Sequence, residues 1–201
     1  MWQWFRKRIN KRDKLRLRNY DVSVISNDCT GGILLHDLGL QFLSPTVNLY
    51  MNANDYQKFC KNLRYYISID TMVACADSSI IENRKYPVAY LDDILLYLVH
   101  YATVEEAQKK WNERKRRINW DKIVVINSDR NGMTDDLKSQ FEKLPYKKVM
   151  FTNLPNDKFP SSYYLPGSES EECLGLVPEP IGWLGKRRTD SFDFVEFLNN
   201  A

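Results

Sequence analysis

The chain has 201 residues, 43% of them apolar and 13% aromatic, with a net charge of +3. That length and apolar content suit one folded domain with a full core. No apolar run approaches the roughly 18 residues that a membrane-spanning helix needs. The four cysteines (Cys29, Cys60, Cys75, Cys173) follow no CxxC spacing, which argues against a zinc ribbon and a disulfide framework. The expectation is a reduced, cytoplasmic protein with no bound metal and no cofactor.

Residues 1–18 carry eight cations against one carboxylate, a net +7, so the remainder of the chain is mildly acidic at −4. The same stretch holds Trp2, Trp4 and Phe5, whereas Ile9, Leu15 and Leu17 make only a patchy apolar face. Residues 1–19 therefore read as a basic, aromatic arm or helix, and 20–201 as a single α/β domain. Indole rings and cations suit an anionic membrane surface, here the inner face of the membrane. A helix packed on the body with solvated charges explains the same residues. Nucleic-acid binding has no helix-turn-helix, RNP or zinc motif behind it.

The central stretch is Tyr20–Leu49. Val22, Val24 and Ile25 predict a strand, which runs into a polar turn, Ser26-Asn27-Asp28-Cys29-Thr30-Gly31-Gly32, and then a short apolar helix. Asn27 or Asp28 can cap that helix. Gly31 and Gly32 let the backbone turn sharply or approach a ligand. Free amides at such a turn can hold an anion, and a cysteine there can have a lowered pKa. Cys29 is thus a candidate nucleophile, with Asn27, Asp28, Thr30, Gly31 and Gly32 as candidate substrate contacts. A small buried cysteine beside a tight turn is the plainer reading of the same residues. The spacing matches neither a P-loop nor GxGxxG. A base would have to be His36 or His100. His36 lies about 10 Å along the helix from Cys29, too far for a hydrogen bond, and stands as a substrate contact. His100 can approach only through the fold, and as a buried histidine paired to backbone it needs no chemistry.

Further along, Phe42–Leu49 reads as extended, and Asn52 or Asn54 caps a helix over 55–66. Met72–Ala76 reads as a strand and Ser78–Tyr86 as a loop. Ile94–Tyr101 is apolar on both faces, as a buried central strand would be, with Asp92 and Asp93 just before it as a loop pair or a carboxylate pair. Thr103 and Glu106 match a capping box for a helix to about Ile118, with Arg114–Arg117 at its end. Lys122–Asn127 (KIVVIN) is the clearest strand. It enters a second polar turn, Ser128-Asp129-Arg130-Asn131-Gly132, before a helix capped at Thr134. Ligands in open α/β sheets sit beyond the carboxyl ends of strands, which makes Asp129 and Arg130 candidate substrate contacts. A salt-bridged turn explains them equally. Lys147–Thr152 is a further strand, 153–167 a loop or lid, and Asp190 or Ser191 caps a last helix with Phe194, Phe197 and Leu198 inward. The fold class is α/β, a layered, mixed or mostly parallel sheet with helices on both faces.

Three stretches, SNDCTGGILLHDLGLQFLSPTVNLYM, YPVAYLDDILLYLVHYATVEEAQKKWNERKRRINWDKIVVINSDRNG and LPYKKVMFTN, together resemble the domain-of-unknown-function family numbered 1919, over about Tyr20 to Tyr164. Its bacterial members are often labelled exopolysaccharide or capsule biosynthesis proteins. The resemblance implies an α/β fold and a surface-polysaccharide setting, and it carries no catalytic set. The functional expectation is a transferase acting on a carbohydrate or sugar-phosphate intermediate. Cys29 would be the nucleophile, His100 the base, the Gly31 and Gly32 amides an anion site and Arg130 a charge clamp. The alternatives are a non-catalytic sugar-phosphate-binding or scaffold protein of the same pathway, and a papain-like thiol hydrolase.

Overall fold

A computed structural model describes residues 2–167, 169–175, 180–181 and 186–201. In chain order the described elements are α1 (Trp2–Arg16), β1 (Ser23–Ser26), α2 (Thr30–Leu38), α3 (Ala53–Lys61), α4 (Leu63–Ser68), β2 (Val73–Ala74), α5 (Ser78–Ile81), β3 (Val88–Leu91), β4 (Ile94–Tyr97), α6 (Val104–Lys115), β5 (Ile123–Ser128), α7 (Asp135–Glu142), β6 (Lys147–Thr152), β7 (Ser162–Tyr164), β8 (Pro180–Ile181), β9 (Lys186–Arg187), a 3-10 turn over Arg188–Ser191, and α8 (Phe194–Asn199).

The scaffold is a parallel sheet in the order β1-β5-β6-β7. Strand β5 is buried at every position, as a strand covered on both faces must be. Its side chains alternate between two cores. Ile25, Val125 and Met150 face one layer, where Tyr56, Phe59 (both α3), Leu63 (α4), Trp111 (α6) and Phe141 (α7) pack. Val24, Val124, Ile126, Val149 and Phe151 face the other, with Leu17 after α1, Leu35 and Leu38 of α2, and Phe194, Val195 and Leu198 of α8. The chain is therefore an α/β protein with helices on both faces of a parallel sheet.

Two strands differ from expectation. Ile94–Tyr101 is not a central strand. Only Ile94–Tyr97 is extended, and it pairs antiparallel in a separate small sheet, β2-β3-β4. Ile94, Leu96 and Leu98 supply one of the helical cores, while Tyr97 stacks on Tyr50 with ring centroids 4.4 Å apart. Asp92 and Asp93 form the hairpin turn, with Asp92 at φ +55°. They accept from Tyr65, Tyr66 and Lys58, so they serve the turn. The 153–167 segment is not wholly loop, since β7 adds a parallel strand to β6. The one-turn helix α5 also lies within the stretch expected to be loop.

The basic arm is helix α1, laid against α2 and the C-terminal segment. Arg6, Asn10, Asp13 and Leu17 recur at helical spacing on its inner side. Buried Arg6 binds both carboxylate oxygens of Asp190, at 2.7 and 2.8 Å, and lies 3.7 Å from Asp37. Arg16 pairs with Asp193. This inner stripe is mostly polar, which is why no clear apolar face shows in the sequence. The side chain of Trp2 lies outside the described residues.

Strand β1 is the sheet's outer strand, and residues 43–51 seal its free edge through side chains. Thr46 Oγ1 accepts from the Ser26 amide at 3.1 Å, Ser44 Oγ donates to the Val24 carbonyl, and Ser23 Oγ donates to the Leu43 carbonyl. Beyond the strand, the Met51 amide donates to the Asn27 carbonyl at 2.9 Å.

Candidate functional site

Helix α2 follows β1 onto one face of the sheet, and α7 follows β5 onto the other. Where helices diverge in this way, the position beyond the carboxyl ends of neighbouring parallel strands is the usual ligand crevice of such sheets. Here that position is walled by Asn27, Asp28 and Cys29, which follow β1, and by Asn127 and Ser128 at the end of β5 with Asp129 after them.

The floor is the hydroxyl of Tyr56, which reaches the carbonyl oxygens of Ile25 (3.0 Å) and Ile126 (2.8 Å). Burial holds this phenol well above its ordinary pKa, so it is a neutral donor at any working pH. Above it runs a polar chain. Asn27 Nδ2 donates to Ser128 Oγ at 3.1 Å, and Ser128 Oγ donates to Asp28 Oδ2 at 3.4 Å. Asp28 Oδ1 accepts from the Thr30 amide at 2.8 Å. Asn127 Oδ1 accepts from the Ser128 amide at 2.9 Å.

Three buried atoms here have no partner: Asn27 Oδ1, Asn127 Nδ2 and Thr30 Oγ1. Asn27 is fully buried and Asn127 is 1% exposed. They stand one rung beyond the Ser26–Ile126 pair, so a bare acceptor and a bare donor face the same end of neighbouring strands. An unsatisfied buried polar group costs about 1–3 kcal/mol, and native proteins seldom leave two side by side.

The glycine pair serves packing. A Cβ on Gly31 would lie 2.8 Å from Ser26 Cβ and 3.0 Å from Val24 Cγ1, and one on Gly32 would lie 3.2 Å from Val47 Cγ1. The Gly31 amide is already taken by Ser26 Oγ at 3.2 Å, and the Thr30 amide by Asp28. The Thr30 and Gly31 amides are thus spent within the protein, so Gly31 offers nothing to the expected anion site, and Asp28 is an anion already held at this helix start.

Cys29 precedes α2 directly, yet its thiol is not activated. Burial first, and the Asp28 carboxylate second, push its pKa up to about 11, the reverse of the expected lowering. Both histidines are exposed and, among the described residues, neither is hydrogen-bonded to it. His100 is exposed, with its amide bonded to the Asn48 carbonyl, and His36 is exposed with its ring 3.9 Å from Asp37. Among the described residues no hydrogen bond joins Cys29 to either ring. The reading of His100 as a buried, backbone-paired histidine is corrected by the same exposure.

Asp129 is a tether. Its carboxylate accepts from the Asn153 amide and the Leu174 amide, both at 2.8 Å. It thereby draws the 171–174 segment over the ends of β5 and β6. It makes no ion pair with Arg130, so the salt-bridged turn is not formed. Half-buried Arg130 has no carboxylate partner among the described residues and directly follows the crevice wall. Arg114 also lacks an acid there. It donates to the Tyr101 hydroxyl (2.7 Å) and lies over the Phe42 ring.

The structure thus brings Asn27, Asp28, Cys29 and Thr30 together with Asn127 and Ser128, and no hydrogen bond among the described residues ties His36 or His100 to them. Asn127, Ser128 and Tyr56 were not singled out from sequence. The signal for the first two was their place at the end of KIVVIN, and Tyr56 gave none beyond core spacing. A separate cavity of about 470 Å³ lies between α1, α2 and residues 189–195. Its charged groups pair with one another, Arg6 with Asp37 and Asp190 and Arg16 with Asp193, so it is a seam between packed elements.

Comparison with known proteins matches residues 1–199 to the family model described as Domain of unknown function (DUF1919). A curated protein of Haemophilus influenzae, named only as an uncharacterized protein, is 36% identical over 194 residues, covering 96% of this chain and 91% of that protein.

Proposed function

Taking as premise that the chain belongs to the DUF1919 family, we propose that it binds a carbohydrate or sugar-phosphate intermediate of surface-polysaccharide assembly in the β1–β5 crevice. The observation that carries this reading is the pair Asn27 Oδ1 and Asn127 Nδ2, buried, adjacent and unpartnered. One is an acceptor and the other a donor. A single hydroxyl satisfies both, giving its proton to Asn27 and accepting from Asn127. A polyhydroxylated ligand has further hydroxyls for Asp28, whose half-buried carboxylate is the natural acceptor at the crevice mouth. Arg130 supports the phosphorylated form, because a guanidinium without an acid partner grips phosphate through paired N–H groups.

The reading is one of recognition. The thiol is given no nucleophilic part, since a neutral Cys29 without an adjacent base is a poor nucleophile. A transferase acting on the bound sugar would have to use other groups, of which Asp28 is the nearest candidate base.

The test is amide-resolved NMR titration with hexoses, hexose 1-phosphates and inorganic phosphate at millimolar concentration. The expected result is selective movement of the Asn27 and Asn127 side-chain amide signals with the sugars. Arg130→Met should weaken a hexose 1-phosphate by about tenfold and leave the free hexose unchanged. Perturbations confined to other surfaces, or none across the panel, would overturn the proposal.

A further inference from the structure

We propose that the outward face of α1 docks this protein on an anionic lipid surface. The helix is held to the body by Arg6, Arg16 and Leu17, through two carboxylate anchors and a core contact. The outer face is therefore held in one orientation on a folded body and is not a loose tail.

That face has an unusual makeup. Trp4 is 54% exposed and Leu15 is 80% exposed. They lie eleven residues apart, which returns a helix almost to the same angle, with a separation of about 16 Å along the axis. Arg8 and Lys11 fill the same stripe between them and Lys7 flanks it, all exposed, whereas exposed Lys14 lies against Gly39 at the end of α2 and exposed Arg18 follows the helix end. None of these five cations has an ion pair among the described residues. Arg8 instead lies over the Trp4 ring, 4.7 Å from its centre. Only Arg12 and Arg16 on the helix's solvent side meet acids, Asp13 and Asp193.

Cations alone would suit any polyanion. The two large apolar side chains at the ends of the basic stripe favour a lipid surface. An indole belongs at the headgroup level and a leucine side chain reaches the acyl boundary, while the lysines and arginines between them meet anionic headgroups. The body is acidic overall, so it is turned away from such a surface as α1 is drawn to it. No described helix is long and apolar enough to cross a membrane, so the contact is peripheral. This inference does not depend on the crevice, and either can fail without the other.

The experiment is sedimentation of the full chain with vesicles of phosphatidylcholine alone and with about one-third phosphatidylserine, at low and at physiological salt. The expected result is binding to the anionic vesicles only, weakened by salt. The pair Lys7→Glu and Lys11→Glu should weaken it by at least about tenfold, and so should the pair Trp4→Ala and Leu15→Ala, with thermal melts unchanged because these side chains are exposed. Equal binding to both vesicle types, or none to either, would overturn the proposal. So would binding to duplex DNA as tight as to anionic vesicles and indifferent to the Trp4 and Leu15 changes, since that marks a generic polyanion surface.

Discussion

Cys29 and Asp28 sit side by side at the start of α2, and only one of them can carry the negative charge there. The carboxylate takes it, bonded to the Thr30 amide, and the thiol stays protonated. The sign of the pH effect follows. A thiol whose folded pKa is pushed up to about 11 loses its proton in the unfolded chain first, near the ordinary value of about 8.5. Its neutral burial supports the fold below that value, and the support is lost as pH rises from there toward 11. Alkylation of Cys29 by iodoacetamide, followed by peptide mass spectrometry, should stay slow through pH 9 and rise only above it. An inflection near pH 7 or below would restore the activated thiol. Sequence could place Cys29 at a strand-to-helix turn, but the same turn serves a reactive cysteine and a shielded one. What separates them is burial of the thiol by the surrounding fold, together with the Asp28 charge beside it. The glycines misled for a similar reason. Gly31 and Gly32 are small because Ser26, Val24 and Val47 press on them, and nothing local announces that pressure.

Among the elements, those carrying their own capping chemistry were legible. Asn52, Thr103 and Thr134 accept from the amides three residues on, as their spacing predicts. Lys147–Thr152 is the strand expected over those same residues. Ile94–Tyr101 misled because an apolar run of that length suits a central strand and also a hairpin arm that feeds a core with alternate residues. The Asp92 turn, at positive φ, decides it. The edge of β1 was not legible at all, because Phe42–Leu49 looks extended yet bonds through hydroxyls. That arrangement makes a sharp prediction. Thr46→Val keeps the shape but leaves the buried Ser26 amide without its acceptor, at a cost of about 1–3 kcal/mol. Urea denaturation reads it as a lower midpoint with unchanged slope, and an unchanged midpoint would show that the seam contributes nothing.

At the scale of the whole molecule, the two ends of the chain hold each other. Arg6 from α1 meets Asp190, Arg16 meets Asp193, and Asn199 accepts from the Arg18 amide at 2.7 Å. Removing Asp190 leaves buried Arg6 with Asn10 and the longer Asp37 contact alone, so Asp190→Ala should cost about 1–3 kcal/mol in chemical denaturation, more than a surface ion pair. A loss below a few tenths would mean that α1 rides on the body without supporting it. Sequence charge alone left a membrane-facing arm and a helix packed on the body both open. The partner carboxylates, some 180 positions away, are what turn the helix into part of the fold.

The hydroxyl seam along β1 has a consequence for how the sheet behaves towards other chains. A bare outer strand invites a foreign segment to add itself, rung by rung, and so to spread into aggregates. Here Ser44 and Thr46 occupy those rungs with groups too short and irregular to be copied. On that flank the sheet is closed to recruitment, and growth by strand addition there would first have to peel away a segment of its own chain.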